Sequence, residues 1–221
     1  MIQVILCDDH ALIRRGTRDT LADAADIQVV GEAGDYGELR ALMRGLAAVG
    51  ESGPATRCDV LVLDINLPGR SGLDVLQVLK DEGSPVKVLV VSMYPEDQYA
   101  IRALRAGAYG YVNKGGDPQL IVQAVRTVAQ GRKYVTPEIA QMLVESLTTP
   151  VPEHAHDKLS DRELQTLVMI ASGKRLADIA EDLTLSPKTV SVYRARVLEK
   201  LGLQNNSELT VYAIRKGLVG S

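Results

Sequence analysis

The chain has 221 residues, enough for one large domain or two small ones that each bury a core. Hydrophobic residues make up 46% of it and its formal charge is −3, a composition that excludes a disordered protein. No apolar run is long enough to span a bilayer, and the amino end lacks the basic start of a signal peptide. With only Cys7 and Cys58 as thiols, we expect a cytoplasmic protein without a disulfide framework or a membrane partner.

The charge is unevenly distributed along the chain. Residues 159–221 carry nine basic and seven acidic side chains, whereas residues 1–158 carry 16 basic and 21 acidic ones. An acidic first part and a mildly basic second part favour two domains with different partners.

The first 130 residues alternate short apolar runs with amphipathic stretches. The predicted strands are 3–7, 27–32, 60–64, 86–91 and 109–113, and the predicted helices are 11–24, 36–46, 71–81, 96–105 and 117–130. Continuous apolar runs such as VLVL are typical of strands that are covered on both faces. The alternation predicts a flavodoxin-like, doubly wound α/β domain in residues 1–130, and we expect the strand order 2-1-3-4-5.

Two segments interrupt regular structure. Residues 47–58 are rich in Gly, Ser, Ala and Pro, which predicts an extended surface loop. Residues 131–158 contain a helix that begins at Pro137, followed by the polar, proline-containing stretch TTPVPEHAHDK, and we assign them to an interdomain linker. We expect His154 and His156 in this stretch to be solvated rather than to bind a metal.

From Leu159 the pattern is wholly helical. Ser160 and Glu163 form an S-x-x-E capping box that opens a helix, and further helices are predicted over 176–183, 186–201 and 207–216. A tight turn at Thr184–Ser186 joins the second and third of them. Residues 159–221 are therefore predicted to form an all-α, four-helix domain of the helix-turn-helix type.

Polar residues gather where the predicted strands end. They are Asp8, Asp9, Asp64, Ser92 and Lys114. The carboxyl ends of parallel strands share the sheet edge at which such folds bind ligands, so the three aspartates should converge there. Mg²⁺ would relieve their mutual repulsion. One carboxylate could then attack phosphorus, with Lys114 and Ser92 contacting the phosphoryl group.

The segments VILCDDH, VLVLDINLPGRSGLDVL, VLVVSMY and GAYGYVNKG resemble the receiver domain of two-component response regulators. The resemblance implies that a sensor histidine kinase phosphorylates Asp64. It also implies a set of Mg²⁺ ligands, namely Asp8, Asp9, Asp64 and the backbone carbonyl of Asn66. Lys114 matches the lysine that stabilises the phosphoryl group, although many receivers continue with proline where this chain has Gly115.

The same resemblance identifies a switch pair and a signalling surface. Ser92 and Tyr111 match the hydroxyl that turns toward the phosphoryl group and the aromatic ring that moves inward. Tyr94 and Tyr99 are candidates for a surface that changes on phosphorylation.

The third helix of the second part is basic, with four basic residues and one acidic residue between Ser186 and Leu201. Its apolar positions can pack on one side, while Lys188, Ser191, Arg194 and Lys200 can share the opposite side. Its Ser-Pro-Lys-Thr start suits contacts to phosphates or base edges.

The whole stretch from Leu159 to Leu218 resembles the LuxR/NarL/FixJ type of DNA-binding domain. The resemblance implies a recognition helix in the major groove, a homodimer formed on phosphorylation through the last helix, and promoter DNA with two half-sites. The candidate DNA contacts are Lys188, Thr189, Ser191, Val192, Arg194, Arg196 and Lys200.

Two other functions are compatible with parts of this pattern. The helical domain could dock another protein and make the chain a relay module, although its basic helix favours DNA. A phosphohydrolase resembling the haloacid dehalogenase type would carry a second aspartate two residues after the nucleophile, where this chain has Asn66. The leading interpretation is a response regulator, which catalyses only its own phosphorylation and dephosphorylation and is not an enzyme acting on an outside substrate.

Overall fold

The computed structural model describes residues 1–50, 58–93, 96–148 and 155–219. These residues form two compact units, Met1–Glu145 and Ser146–Ser221, which divide the predicted linker between them. The predictions for residues 51–57, for Pro150, Pro152 and His154 of the linker, and for Tyr94 lie outside the described residues. Across the described ranges, none of the helices is both long and apolar enough for a membrane span.

The first unit contains a parallel sheet of five strands. Its strands are β1 (Ile2–Cys7), β2 (Ile27–Ala33), β3 (Val60–Asp64), β4 (Lys87–Ser92) and β5 (Gly110–Asn113). Their order across the sheet is β2-β1-β3-β4-β5, which confirms the predicted doubly wound topology. Strand β1 therefore lies between β2 and β3, and the ends of β1 and β3 are direct neighbours.

Six helices are present among the described residues up to Thr148. They are α1 (Ala11–Ala22), α2 (Tyr36–Gly50), α3 (Gly72–Asp81), α4 (Glu96–Ala106), α5 (Gln119–Ala129) and α6 (Pro137–Thr148). The prediction that α2 ends at residue 46 is wrong, because the helix continues to Gly50. The two alanines after Leu46 are strong helix formers, so the helix extends into the segment that composition assigned to the loop.

The sheet is covered on both faces, which explains its continuous apolar strands. Every residue of β3 is buried, and alternate residues of a strand point to opposite faces. One face packs against α1 and α5 in a cluster that includes Val62, Leu89 and Val125. Burial of each large aliphatic side chain of this kind stabilises the fold by about 1.5–3 kcal/mol. This apolar frame holds the strand ends in fixed positions.

The second unit is helical. It begins with a short 3-10 helix (Ala155–Lys158), followed by α7 (Asp161–Ala171), α8 (Leu176–Asp182), α9 (Pro187–Leu201) and α10 (Asn206–Arg215). The predicted capping box is present: the Ser160 hydroxyl accepts a bond from the Glu163 N–H (3.4 Å), and the Glu163 carboxylate accepts one from the Ser160 N–H (2.7 Å). Ser186 caps α9, with Pro187 at its first position, as predicted.

His156 does not lie in a solvated linker, so that expectation is wrong. Its side chain is buried, and its Nδ1 lies 2.9 Å from the hydroxyl of Tyr212 in α10. The last residues of the predicted linker fold as a helical turn of the second unit, and this turn places the imidazole against α10. Burial raises the pKa of the Tyr212 hydroxyl above its ordinary value.

The turn between α8 and α9 contains backbone strain. Among the described residues, Thr184 is the only residue other than glycine with a positive φ, at 51°. A β-branched side chain is unfavourable in this left-handed region, whereas asparagine tolerates it. We therefore expect Thr184→Asn to raise the free energy of unfolding by about 1 kcal/mol, measured by chemical denaturation of the full chain.

Thr184→Val is the matched control for this prediction, because it removes the hydroxyl but keeps the β-branch. We expect no gain in stability from it. Equal stabilisation by valine and asparagine would show that the backbone at this turn is not strained.

Candidate functional site

Three polar side chains meet at the carboxyl edge of the sheet, as the sequence predicted. The ammonium Nζ of Lys114, just after β5, lies 2.6 Å from Oδ2 of Asp8 and 2.8 Å from Oδ2 of Asp64. The three side chains are 5%, 7% and 3% exposed, so these ion pairs are screened little by solvent. One lysine thus joins the ends of three strands, β1, β3 and β5.

Asp9 and His10 complete a group of potential metal ligands. One ligand atom from each of Asp8, Asp9, His10 and Asp64 can be chosen so that all four lie within 4.8 Å of one another. The imidazole Nδ1 of His10 lies 2.6 Å from Oδ1 of Asp9, and its backbone N–H donates to Asp8 (2.9 Å). The sequence argument left out His10, although its position directly after the paired aspartates was a usable signal.

The electrostatics of the pocket favour a cation. The pKa of the Asp64 carboxyl is raised to about 6, because burial and the nearby Asp8 carboxylate together outweigh the opposing effect of the Lys114 ammonium. Three carboxylates face a single ammonium group, so the pocket retains an excess of negative charge. The donor atoms here are mainly carboxylate oxygens, the ligand type that Mg²⁺ prefers, so the residues present fit this ion.

Asn66 lies in the loop after β3 and is half-buried. Its backbone N–H forms a hydrogen bond with the Asp64 carboxylate, which favours the ionised form of the acid. The residue predicted to supply a carbonyl ligand is therefore next to the pocket and also contacts the predicted phosphoacceptor directly.

The predicted switch residues are both inside the first unit. Ser92, at the end of β4, is 1% exposed, and the ring of Tyr111 in β5 is fully buried. The backbone carbonyl of Ser92 accepts a hydrogen bond from the Lys114 N–H (2.8 Å), so the two residues are positioned together. Tyr99 is also fully buried, so the expectation that it belongs to a surface is wrong.

The backbone after Lys114 is regular even though glycine replaces the proline found in many receivers. The Gly115 N–H donates to the side-chain oxygen of Asn113 (2.7 Å), and the Gly116 N–H donates to its carbonyl (3.2 Å). All peptide bonds between described residues are trans. Asn113 therefore fixes the turn that carries the lysine.

Gly72 is a structural requirement of the pocket that sequence reasoning missed. It begins α3 directly against the end of β3, and a Cβ atom at this position would lie 2.0 Å from the carbonyl oxygen of Asp64. Its N–H donates to the carbonyl of Ile65 (2.8 Å), which holds the helix start at the strand end. The signal was the glycine of the SGLDVL motif.

The exposed face of α9 holds part of the predicted DNA-contact set. Lys188, Ser191 and Arg196 are exposed, Val192 is 43% exposed and Thr189 is half-buried. Val190 and Val197 are fully buried against the rest of the unit, as predicted. An exposed apolar side chain between polar neighbours on a helix start is suited to a base edge rather than to the core.

The prediction that Arg194 and Lys200 share the face of Lys188 is wrong. At about 100° per residue, Arg194 lies about 240° around the helix from Lys188 and Lys200 about 120° from it, so Arg194 is on the buried side and Lys200 is at the edge of that side. Arg194 Nε donates to Oδ1 of Asn206 at the start of α10 (2.5 Å). Lys200 Nζ bonds the Glu163 carboxylate of α7 (2.6 Å), which is 3% exposed.

We expect Gly72→Ala to disrupt the pocket, because the added methyl group meets rigid backbone rather than a movable side chain. The expected result is a loss of at least about 3 kcal/mol in the free energy of unfolding, or failure to fold. Gly16→Ala is the control, since nothing lies within 4 Å of the added atom in the middle of α1. That variant should gain about 0.5–1 kcal/mol from helix propensity. A stable, phosphorylatable Gly72→Ala protein would contradict the assignment.

Comparison with known proteins agrees with both units. The family model described as "Response regulator receiver domain" matches residues 4–126, and the one described as "Bacterial regulatory proteins, luxR family" matches residues 157–213. The response regulator GacA of Pseudomonas aeruginosa is 38% identical over 220 residues, which cover 99% of this chain and 98% of GacA. The response regulator UvrY of Escherichia coli K12 is 39% identical over 219 residues, covering 99% of this chain and 96% of UvrY.

Solved structures show the same architecture. RcsB from Salmonella enterica serovar Typhimurium, bound to the rprA promoter in the presence of the phosphomimetic BeF₃⁻, is 25% identical. Its TM-score is 0.61, with 96% of this chain and 97% of RcsB covered. A LuxR-family two-component response regulator from Aurantimonas is 32% identical with a TM-score of 0.57, covering 66% of this chain and 98% of that one. The chain therefore belongs to the two-component response regulators of the NarL/FixJ type, in which a receiver domain precedes a LuxR-type helix-turn-helix domain.

Proposed function

We propose that this response regulator accepts a phosphoryl group on Asp64 from a sensor histidine kinase and that the modification controls its dimerisation and its binding to promoter DNA. The observation that supports this most directly is the buried contact of Lys114 with both Asp8 and Asp64. It places a cation beside the acid that would carry the phosphoryl group. We propose residues 1–130 as the receiver, 131–158 as the linker and 159–221 as the DNA-binding domain, with the last turn of the linker (Ala155–Lys158) packed into the second unit.

The phosphorylation step needs an ionised nucleophile. A carboxylate oxygen of Asp64 forms a bond to phosphorus while the phosphorus–nitrogen bond of the phosphohistidine breaks and the imidazole leaves. With a pKa near 6, Asp64 is mostly ionised at neutral pH, and the Asn66 N–H and Lys114 both favour that form. Lys114 is close enough to offer its charge to the phosphoryl oxygens as negative charge develops on them.

We propose that Asp8, Asp9, Asp64 and the Asn66 carbonyl hold Mg²⁺. When bound, the ion would offset the negative charge of the pocket and of the incoming phosphoryl group. The chain itself supplies the other features of the site. The apolar frame excludes water, and Ser92 lies at the neighbouring strand end, where its hydroxyl can bond the new phosphoryl group. Tyr111, buried in the next strand, is the proposed partner in the switch.

For DNA we propose a smaller set of contacts than the sequence suggested. Lys188, Thr189, Ser191, Val192 and Arg196 remain candidates, because they lie at the amino end or on the exposed side of α9. We assign Arg194 and Lys200 to holding α9 against its neighbours, since both already bond α10 or α7. Two such helices in a dimer would meet two half-sites about one helical turn apart.

Family membership argues against the two other functions. The match to a LuxR-type domain favours DNA over a relay role for the helical unit. The receiver match, with Asn66 in place of a second acid, argues against a phosphohydrolase that turns over an outside substrate.

Phosphorylation of Asp64 should tighten DNA binding. The probe is a duplex selected from a randomised pool by the protein in the presence of Mg²⁺ and acetyl phosphate, and affinity is measured by fluorescence anisotropy. We expect wild type to gain at least about fivefold in affinity with the donor, a typical size for coupling between sites. Asp64→Asn, which keeps the shape of the side chain, should not respond. Equal binding by both proteins with and without the donor would refute the phosphorylation switch.

Lys188 and Lys200 form a matched pair that separates DNA contact from helix anchoring. Lys188→Met should weaken DNA binding and lower the slope of log affinity against log salt by about one, with stability unchanged. Lys200→Met should largely keep the salt slope but lose about 1 kcal/mol of stability at neutral pH, because it removes one partner of the Glu163 ion pair. The reverse pattern would show that Lys200 contacts DNA.

The stability loss in Lys200→Met should depend on pH. Burial raises the pKa of Glu163, but hydrogen bonds from Lys200 and from the Ser160 backbone outweigh this effect and hold the pKa below the ordinary 4.5. A depressed pKa stabilises the folded state above the unfolded pKa, and this contribution disappears as pH falls through the folded value. The difference in Tm between the two proteins should therefore be full above pH 4.5 and shrink below it.

A further inference from the structure

The chain returns to the sheet after α5 and pairs with its edge strand. Gly131 turns the backbone with a φ of 77°, and Tyr134 then forms a parallel bridge with Gly110 at the start of β5. The Tyr134 N–H donates to the carbonyl of Tyr109 (2.8 Å). The first residues of the linker therefore pair directly with the edge strand.

Lys133 reinforces this pairing from its side chain. Its Nζ donates to the carbonyl of Ala108 (2.6 Å) and lies 4.4 Å from the centre of the Tyr109 ring. A cation over an aromatic face adds attraction to the hydrogen bond. Both Tyr109 and Tyr134 pack against the apolar core under α5, so the contact is anchored inside the unit.

Gly110 makes the close approach possible. A Cβ atom at this position would lie 2.8 Å from the carbonyl oxygen of Tyr134 and 3.0 Å from its Cβ. Any other residue would push the linker away from the strand or shift both backbones. The contacts of the Lys133 side chain and the requirement for glycine at position 110 therefore support the same pairing independently.

The position of this pairing within β5 suggests its role. β5 has only four residues, Gly110–Asn113, and it includes Tyr111 and is followed by Lys114. Only three residues separate Gly110 from Lys114, so the pairing with Tyr134 and the contacts of Lys114 act on the same short stretch of backbone. On the other side of the pairing, α6 begins at Pro137 and continues the linker.

Residues 133–134 and the residues 108–110 with which they pair are here named the linker clamp. We propose that the linker clamp positions the start of the linker on β5, so that the linker follows the response of this strand to phosphorylation. Lys133 is a positioning residue in this scheme, because it acts through β5 and does not touch the phosphoacceptor. The proposal rests on the proposed function, in which Lys114 contacts the phosphoryl group on Asp64 and Tyr111 is the proposed partner in the switch.

The test compares Lys133→Met with Lys133→Arg in the full chain. Methionine keeps an apolar stem but loses the donor and the charge, whereas arginine keeps both. Arg132→Met is the matched control, since it removes a neighbouring positive charge whose guanidinium donates to the side-chain oxygen of Gln130 (2.5 Å). Gly110→Ala is a second variant that breaks the same pairing from the strand side.

Three quantities are measured for each protein: the extent of phosphorylation by acetyl phosphate, the affinity for the selected duplex with and without the donor, and hydrogen exchange of the Tyr134 amide. We expect Lys133→Met to be phosphorylated as wild type and to keep its basal affinity. Its gain in affinity on phosphorylation should fall by about fivefold or more, with faster exchange at Tyr134. Lys133→Arg and Arg132→Met should behave as wild type.

Faster exchange at Tyr134 in Lys133→Met with an unchanged gain in affinity would overturn the proposal, because the pairing would then be structural only. Unchanged exchange and an unchanged gain in both Lys133→Met and Gly110→Ala would also overturn it. If wild type gains nothing on phosphorylation, the proposed function itself is wrong and the linker clamp has no signal to transmit. The wild-type measurement therefore separates the two failures.

Discussion

The buried contact of Lys114 with Asp8 and Asp64 is the interaction on which the receiver unit depends most. Burying carboxylates is costly unless an opposite charge compensates them, and one ammonium group here serves two acids from different strands. The compensation is incomplete, because burial and the Asp8 carboxylate still raise the pKa of Asp64 in spite of Lys114, and Asp9 adds a third carboxylate to the pocket. A fully compensated set of charges would attract a cation less strongly.

This arrangement requires rigid surroundings. The order β2-β1-β3-β4-β5 brings the ends of β1 and β3 together, and the apolar faces of the sheet prevent the strands from moving apart under the repulsion of their acids. Gly72 lets α3 start against the carbonyl of Asp64, where any side chain would displace the backbone of this proposed phosphoacceptor. In the helical unit, one lysine stabilises the fold and another remains at the surface. Lys200 bonds the nearly buried Glu163, whereas Lys188 extends into solvent.

The sequence predicted well those strands and helix starts that depend on residues close together in the chain. Apolar runs between turn residues located all five strands, and the Ser160–Glu163 capping box located the start of α7. The errors arose where distant contacts decide the outcome. His156 lies in a linker-like sequence, but its side chain is buried because it forms a hydrogen bond with Tyr212, which is far along the chain. Arg194 and Lys200 are basic residues on a basic helix, and only the positions of Asn206 and Glu163 show that both are used within the fold. Gly72 and Gly110 look like ordinary glycines until the neighbouring backbone is known.

The short strand β5 is held at both ends, by charge at one end and by backbone pairing at the other. Lys114 at its carboxyl end is held by charge, and Gly110 at its amino end is held by backbone pairing with Tyr134. Tyr111 lies between them with its ring fully buried, so a closely packed interior surrounds the proposed switch residue. Packed interiors change between discrete arrangements rather than deforming continuously. A phosphoryl group that draws Lys114 toward itself would therefore act on the whole strand. The residues that pair with its other end are then the natural place for the signal to leave the sheet.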